Sequence, residues 1–226
     1  MELKDKVIVV TGGLGSLGRA VTEVAAKRGA TVVAVDVVNG QPAAGVEASP
    51  AVDLGDAQAT AAGLAAIAAK YGRIDALVNI AGGFVWETIT DGSIDSFDRM
   101  YQMNVRTAVN ASKAALPHFP QSGGRIVSIS AIGSLKGEFG NAAYSASKAG
   151  VSRFTESLAA ELKPRNITVN AVMPSIIDTK PNRDSMPDAD FSTWVSPQAL
   201  ADVILFLVSD RAEAVTGALI PVTGRV

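Results

Sequence analysis

Cysteine is absent from the 226-residue chain, and histidine occurs once, at His118. The first absence excludes disulfides, thiolate nucleophiles and Cys-ligated metals. The second leaves no imidazole cluster for zinc or copper, so no metal is expected. Positive charge is not in excess either: 20 Lys+Arg stand against 22 Asp+Glu, a formal net charge of −2. That balance offers no basic field for nucleic acid or anionic lipid, and neither partner is expected. No stretch approaches the roughly 20 apolar residues needed to span a bilayer. The start, Met1-Glu2-Leu3-Lys4-Asp5-Lys6, is charged and leads directly into a strand-like run, so no signal peptide is expected and a cytoplasmic location is.

What is present describes a compact protein: 48% hydrophobic and 19% charged residues, at a length that suits one α/β domain. Apolar, β-branched runs recur at Lys6–Thr11, Thr31–Asp36, Asp75–Ile80, Arg125–Ser130, Ile167–Met173 and Ala218–Val222. They lack polar alternation, as strands buried on both faces of a parallel sheet do. Helical patterns fall between them at Leu17–Arg28, Asp56–Tyr71, Ile94–His118, Ala142–Lys163 and Pro197–Ser209. Repeated βα units predict a single doubly wound, Rossmann-type α/β domain over residues 1–226, with a seven-stranded parallel sheet covered on both faces. From Val37 to Ala51 two prolines and two glycines argue against a full crossover helix. From Pro174 to Ser196 three prolines and weak periodicity predict a substrate lid, placed at residues 178–196.

The first strand runs into Thr11-Gly12-Gly13-Leu14-Gly15-Ser16-Leu17-Gly18 and then a helix. Glycines permit a tight turn and close approach of backbone to a pyrophosphate, which the helix N-terminus then meets with N–H groups. The second strand ends in Asp36, followed by Val37 and Val38. A carboxylate there accepts from ribose hydroxyls and repels a 2′-phosphate, so NAD(H) is expected over NADP(H). Tyr144 and Lys148 lie four residues apart on one helical face. A nearby ammonium favours phenolate, and the spacing predicts a lowered Tyr144 pKa.

These pieces together resemble the short-chain dehydrogenase/reductase family over nearly the whole chain. The matching residues are the Thr11–Gly18 loop, Asp53-Leu54, Asn79-Ile80-Ala81-Gly82, Asn104, Tyr144-x-x-x-Lys148 and Pro174 through Thr179. The resemblance implies that Tyr144 exchanges the substrate proton, Lys148 binds the nicotinamide ribose and Asn104 supports a water relay. It further implies cofactor contacts at Gly12, Leu14, Gly15, Ser16, Leu17, Gly18, Asp36, Val37, Asp53, Leu54, Ala81, Gly82, Gly83, Pro174, Ile177 and Thr179. The family's long helices pair across two-fold axes, which implies a homodimer or homotetramer here.

Three departures from the family pattern stand out. Ser16 occupies the place of the loop's middle glycine, Ile80 stands within the usual NNAG, and Ala131 sits 13 residues before Tyr144, where the family carries its catalytic serine. That serine donates to the reacting carbonyl oxygen, and losing such a donor costs about 10²–10³ in rate. Alanine at this place, the GGxGxLG loop, the short second crossover and the lid (Met186 within it) resemble the quinonoid dihydropteridine reductase subfamily. Asn104 and the Pro221–Arg225 tail follow the broader family instead.

Three functions therefore stay open. One is an NADH-dependent reductase of an activated C=N or C=O acceptor such as a quinonoid dihydropterin. Another is an NAD-dependent alcohol dehydrogenase or carbonyl reductase in which Ser130 or a water replaces the missing donor. A non-catalytic dinucleotide sensor is the third. For the small-molecule substrate, the expected neighbours are Ser130, Ala131, Trp86, Phe139, Met186 and Trp194, the two tryptophans serving either to stack on a flat ring or to pack at a loop base.

Overall fold

A computed structural model of the chain describes residues 2–226. Seven strands form one sheet: β1 (Val7–Thr11), β2 (Thr31–Val35), β3 (Glu47–Ala48), β4 (Ala76–Asn79), β5 (Gly124–Ile129), β6 (Ile167–Pro174) and β7 (Leu219–Val222). Their order is β3-β2-β1-β4-β5-β6-β7, and every pairing is parallel. The expected α/β architecture is therefore the observed one. The seventh strand is the two-residue β3, inside the connection where prolines and glycines left no recognisable apolar run. As expected, no helix joins β2 to β3.

Alternation along each strand divides the core. Ile8 and Val10 of β1 face α1 (Ser16–Lys27) and α7 (Pro197–Val208), joining Leu17, Val21, Leu200, Ile204 and Val208 in one cluster. Val9 faces the opposite way, toward α2 (Ala57–Tyr71), α4 (Thr107–Ala115) and α5 (Ala142–Leu162), joining Leu64, Ile67, Ala111 and Leu158. Each such side chain contributes about 1.5–3 kcal/mol on burial, which fixes the strand register. Helix ends follow local chemistry: Asp56 caps α2 by accepting from Gln58 and Ala59 N–H, and Gly72 ends it at φ +83°.

The helix expected over Ile94–His118 is not continuous. It comprises α3 (Asp95–Met100), a π-helical turn (Tyr101–Arg106), α4, and a 3₁₀ turn (Leu116–His118). A π turn rotates the side chains beyond it relative to those before it, and apolar spacing alone carries no sign of that. The 178–196 segment, expected as a substrate lid, is likewise more ordered than weak periodicity implied. It holds α6 (Lys180–Ser185) and a 3₁₀ turn (Phe191–Thr193), and a parallel bridge between Ile177 and Val195 ties its two ends together.

Candidate active site

The sheet changes winding direction between β1 and β4, where Thr11 stands in register with Asn79. A crevice opens at the carboxyl ends of such strands. Here Thr11 Oγ1 accepts from Ile80 N–H at 3.1 Å and Ala81 N–H at 3.3 Å, bracing the crevice floor. A cavity of about 530 Å³ occupies it, lined among others by Gly12, Gly15, Ser16, Leu17, Gly18, Asp36, Val37, Asp53, Leu54, Ala81 and Gly82. The structure thus brings together most of the residues that the sequence grouped for cofactor binding.

Side chains are excluded from the cradle by close backbone contact. A Cβ on Gly18 would lie 2.1 Å from Gly12 O, and one on Gly12 (φ +64°) 2.8 Å from Ala81 N. No side chain caps α1 at Gly15, which leaves its first N–H groups for an anion. Asp36 accepts from Leu14 N–H at 3.1 Å and Val37 N–H at 2.8 Å, so its carboxylate is fixed at the tip of β2. Arg106 donates to Gly55 O at 3.0 Å and Asn110 to Leu54 O at 2.9 Å, fastening the Asp53–Gly55 turn to the helix behind it. A glycine cradle, an uncapped helix and a fixed carboxylate fit a dinucleotide.

Tyr144 and Lys148 lie side by side near the start of α5, with the lysine Nζ 5.8 Å from the tyrosine ring centre. The tyrosine hydroxyl has no hydrogen-bond partner among the described residues. Burial pushes the Tyr144 phenol up to about 12 and the Lys148 ammonium down to about 8. The expectation of a lowered phenol pKa is therefore reversed in the free protein. Phenolate would lose its hydration there, and an amine at this distance, itself favoured neutral by burial, does not compensate. The Nζ of Lys148 donates to Ile129 O at 2.9 Å.

Other expected residues fall into place or out of it. Asn104 sits in the π turn, accepting from Gly83 N–H (2.9 Å) and donating to Gly83 O (3.1 Å) and Ser147 Oγ (2.9 Å). Its side chain thus fixes the Gly82–Gly83 backbone to α5. Ser130 is not a substrate donor: it is 1% exposed, and its hydroxyl lies 2.9 Å from Lys148 O and 2.8 Å from Ser152 Oγ. Strand alternation turns it toward α5 and Ala131 the other way. Trp194 is also withdrawn, 8% exposed and packed 4.8 Å from Phe191 between ring centres, so packing prevails over stacking on substrate. Ile177 O and Thr179 Oγ1 are already occupied, accepting from Asn182 side-chain and main-chain N–H groups. Met186 ends α6, and Pro174 closes β6.

Trp86 and Phe139 remain at the surface, ring centres 5.8 Å apart, with Trp86 seated on Gly140. Phe84 meets Tyr144 edge-to-face at 4.8 Å. Phe84 was not among the residues expected from the sequence to neighbour the substrate. Its position two residues before Trp86 on an extended segment was the available signal. The Phe84–Trp86 loop thus meets Tyr144 through Phe84 and Phe139 through Trp86.

Comparison with known proteins supplies independent context. A family model described as short chain dehydrogenase matches residues 6–190. The 3-oxoacyl-acyl-carrier-protein reductase FabG of Thermotoga maritima is 34% identical over 246 aligned residues, covering 99% of this chain and 98% of that protein. Cyclopentanol dehydrogenase of Comamonas testosteroni is 33% identical over 244, covering 99% and 97%. Among solved structures, a short-chain dehydrogenase/reductase from Serratia marcescens superposes with a TM-score of 0.89 at 29% identity, covering 99% of this chain and 98% of that one.

Proposed function

This chain belongs to the short-chain dehydrogenase family, and from that premise we propose an NADH-dependent reductase that acts on a ring-shaped substrate whose C=N or C=O bond is already polarised. As in its family, it is an oxidoreductase that uses a nicotinamide cofactor. A bound nicotinamide supplies or accepts the hydride. The glycine cradle and the N-terminus of α1 hold the pyrophosphate, Asp36 holds the adenosine ribose, and Lys148 holds the nicotinamide ribose. Tyr144 is the proton donor at its phenolic oxygen. Burial raises the phenol's pKa and so works against proton release; the Lys148 ammonium, still charged below about pH 8, favours the phenolate as the proton is transferred. Phe84, Trp86 and Phe139 favour a flat, apolar substrate face.

The observation that carries the choice of substrate class is the missing hydroxyl donor at Ala131, with Ser130 committed to α5. An unactivated ketone needs a second donor on its oxygen as charge develops. A quinonoid dihydropterin or similar conjugated imine needs it far less. The test compares NADH oxidation with chemically generated quinonoid dihydropterin against cyclopentanone, in the native chain and in Ala131→Ser. The native chain should favour the pterin by at least about 10²-fold, and Ala131→Ser should raise turnover of the ketone by about 10²-fold. Equal rates on both substrates would refute the reading. A second reading, a cyclic-alcohol dehydrogenase, draws on the cyclopentanol dehydrogenase likeness. It requires that the native chain oxidise cyclopentanol with NAD at rates the Ala131→Ser variant does not improve.

A further inference from the structure

Lys148 is held at both ends by consecutive residues of one strand terminus. Its Nζ donates to Ile129 O at 2.9 Å, and its main-chain carbonyl receives the Ser130 hydroxyl at 2.9 Å. Behind Ser130 the hydroxyls continue: Ser152 lies 2.8 Å from Ser130, and Ser134 lies 3.2 Å from Ser152. Each serine has one proton to give. Ser130 gives its proton to the Lys148 carbonyl, and Ser134 gives its own to Met173 Sδ at 3.5 Å. Ser130, Ser152 and Lys148 are all buried, at 1%, 2% and 6% exposure, so water does not substitute for these bonds. Lys148 forms no ion pair among the described residues, and Tyr144 is the titratable group beside it.

We infer that Ser130 is a positioning residue for Lys148: it anchors the lysine backbone to the end of β5, so that Ile129 and Ser130 together fix both the height and the direction of the ammonium. The inference rests on the proposed roles of Tyr144 and Lys148. It also explains why a serine stands beside the alanine that replaces the family's catalytic serine, yet does not take over that serine's task.

Three variants separate positioning from packing. Ser130→Ala and Ser130→Cys remove the strong donor, the second while keeping the side chain's bulk. Ser152→Ala leaves the Ser130–Lys148 bond in place. Two readouts need no turnover: NADH affinity by fluorescence titration, and the Lys148 titration midpoint in cofactor-free protein followed by NMR of labelled lysine. A third is kcat and KM for NADH with quinonoid dihydropterin or, failing activity there, cyclopentanone. Ser130→Ala and Ser130→Cys should each weaken NADH binding about 3- to 10-fold, as loss of one hydrogen bond implies. They should move the Lys148 midpoint up from about 8 toward its ordinary value and lower kcat, while Ser152→Ala stays within about twofold of the native chain. Native-like values for Ser130→Cys, or equal losses for Ser152→Ala, would overturn the inference in favour of packing alone. Tyr144→Phe and Lys148→Met are run beside them. Full turnover in those two would instead refute the underlying catalytic reading.

Discussion

Replacing Lys148 with methionine should make the cofactor-free protein's stability nearly indifferent to mild alkali. A fall in the lysine pKa from 10.5 to about 8 means that folding disfavours the ammonium. At pH 7 that penalty amounts to about 3 kcal/mol, each pKa unit being about 1.4 kcal/mol. The folded value is the lower one, so the folded state binds fewer protons. Stability is then fully present above pH 10.5 and is lost as the pH falls toward 8. Below 8 the fold carries a buried ammonium supported only by Ile129 O and neighbouring dipoles. Methionine fills similar volume without charge, but leaves that carbonyl without its donor at a cost of about 1–3 kcal/mol at every pH. Absolute stabilities can therefore cancel, and the slope decides. Between pH 7 and 9.5 the native chain should gain roughly 2 kcal/mol relative to Lys148→Met, read from paired urea titrations or as a shift of about 4–8 °C in Tm. Tyr144 does not interfere, because its raised pKa costs stability only as the pH climbs from 10 toward 12. Parallel stability curves for the two proteins would refute the claim that burial holds this lysine's pKa down.

Other perturbations follow from single contacts. Gly18→Ala places a methyl 2.1 Å from Gly12 O and should abolish NADH binding in a fluorescence titration while the far-ultraviolet circular dichroism stays native-like. Asp36→Ser should narrow the NADH-over-NADPH preference by about 10- to 100-fold in paired dissociation constants. An unchanged ratio would remove Asp36 from cofactor choice. Gly140→Ala combines a positive φ of +75° with a Cβ 2.4 Å from the Trp86 ring. It should raise KM for a ring substrate severalfold and leave NADH affinity within about twofold, since Gly140 lies outside the dinucleotide cradle.

Much of the architecture was legible because its signals are local. Val7–Thr11 has no polar alternation, and along Ile167–Pro174 even Thr168 and Asn170 are buried, as a doubly covered parallel sheet requires. The glycine loop and Asp36 sat at the two strand ends where a dinucleotide fold needs them, and they line one cavity. What escaped depends on tertiary context. β3 is two residues long and owes its place to pairing with Val33 and Ala34, not to its own composition. The π turn at Tyr101–Arg106 carries Asn104, whose partners Gly83 and Ser147 lie 21 and 43 residues away in the chain. The direction of the Tyr144 pKa depended on how much water the fold removes, and spacing along a helix contains no information about that. Ser130 against Ala131 was settled by strand alternation, a local rule that only needed the position of α5 to become specific.

The two tryptophans sit in opposite surroundings, and this makes the protein its own optical probe. Trp86 is 57% exposed in the loop whose Phe84 meets Tyr144, whereas Trp194 is 8% exposed in the 178–196 segment. Acrylamide should quench the first readily and the second poorly, so one emission spectrum divides into two reporters. Energy transfer from Trp86 to bound NADH would follow occupancy, while a red shift confined to Trp194 would mark that segment coming loose. With Trp86→Phe and Trp194→Phe variants isolating each signal, loading of the cradle and any loosening of the 178–196 segment can be timed separately in one stopped-flow trace.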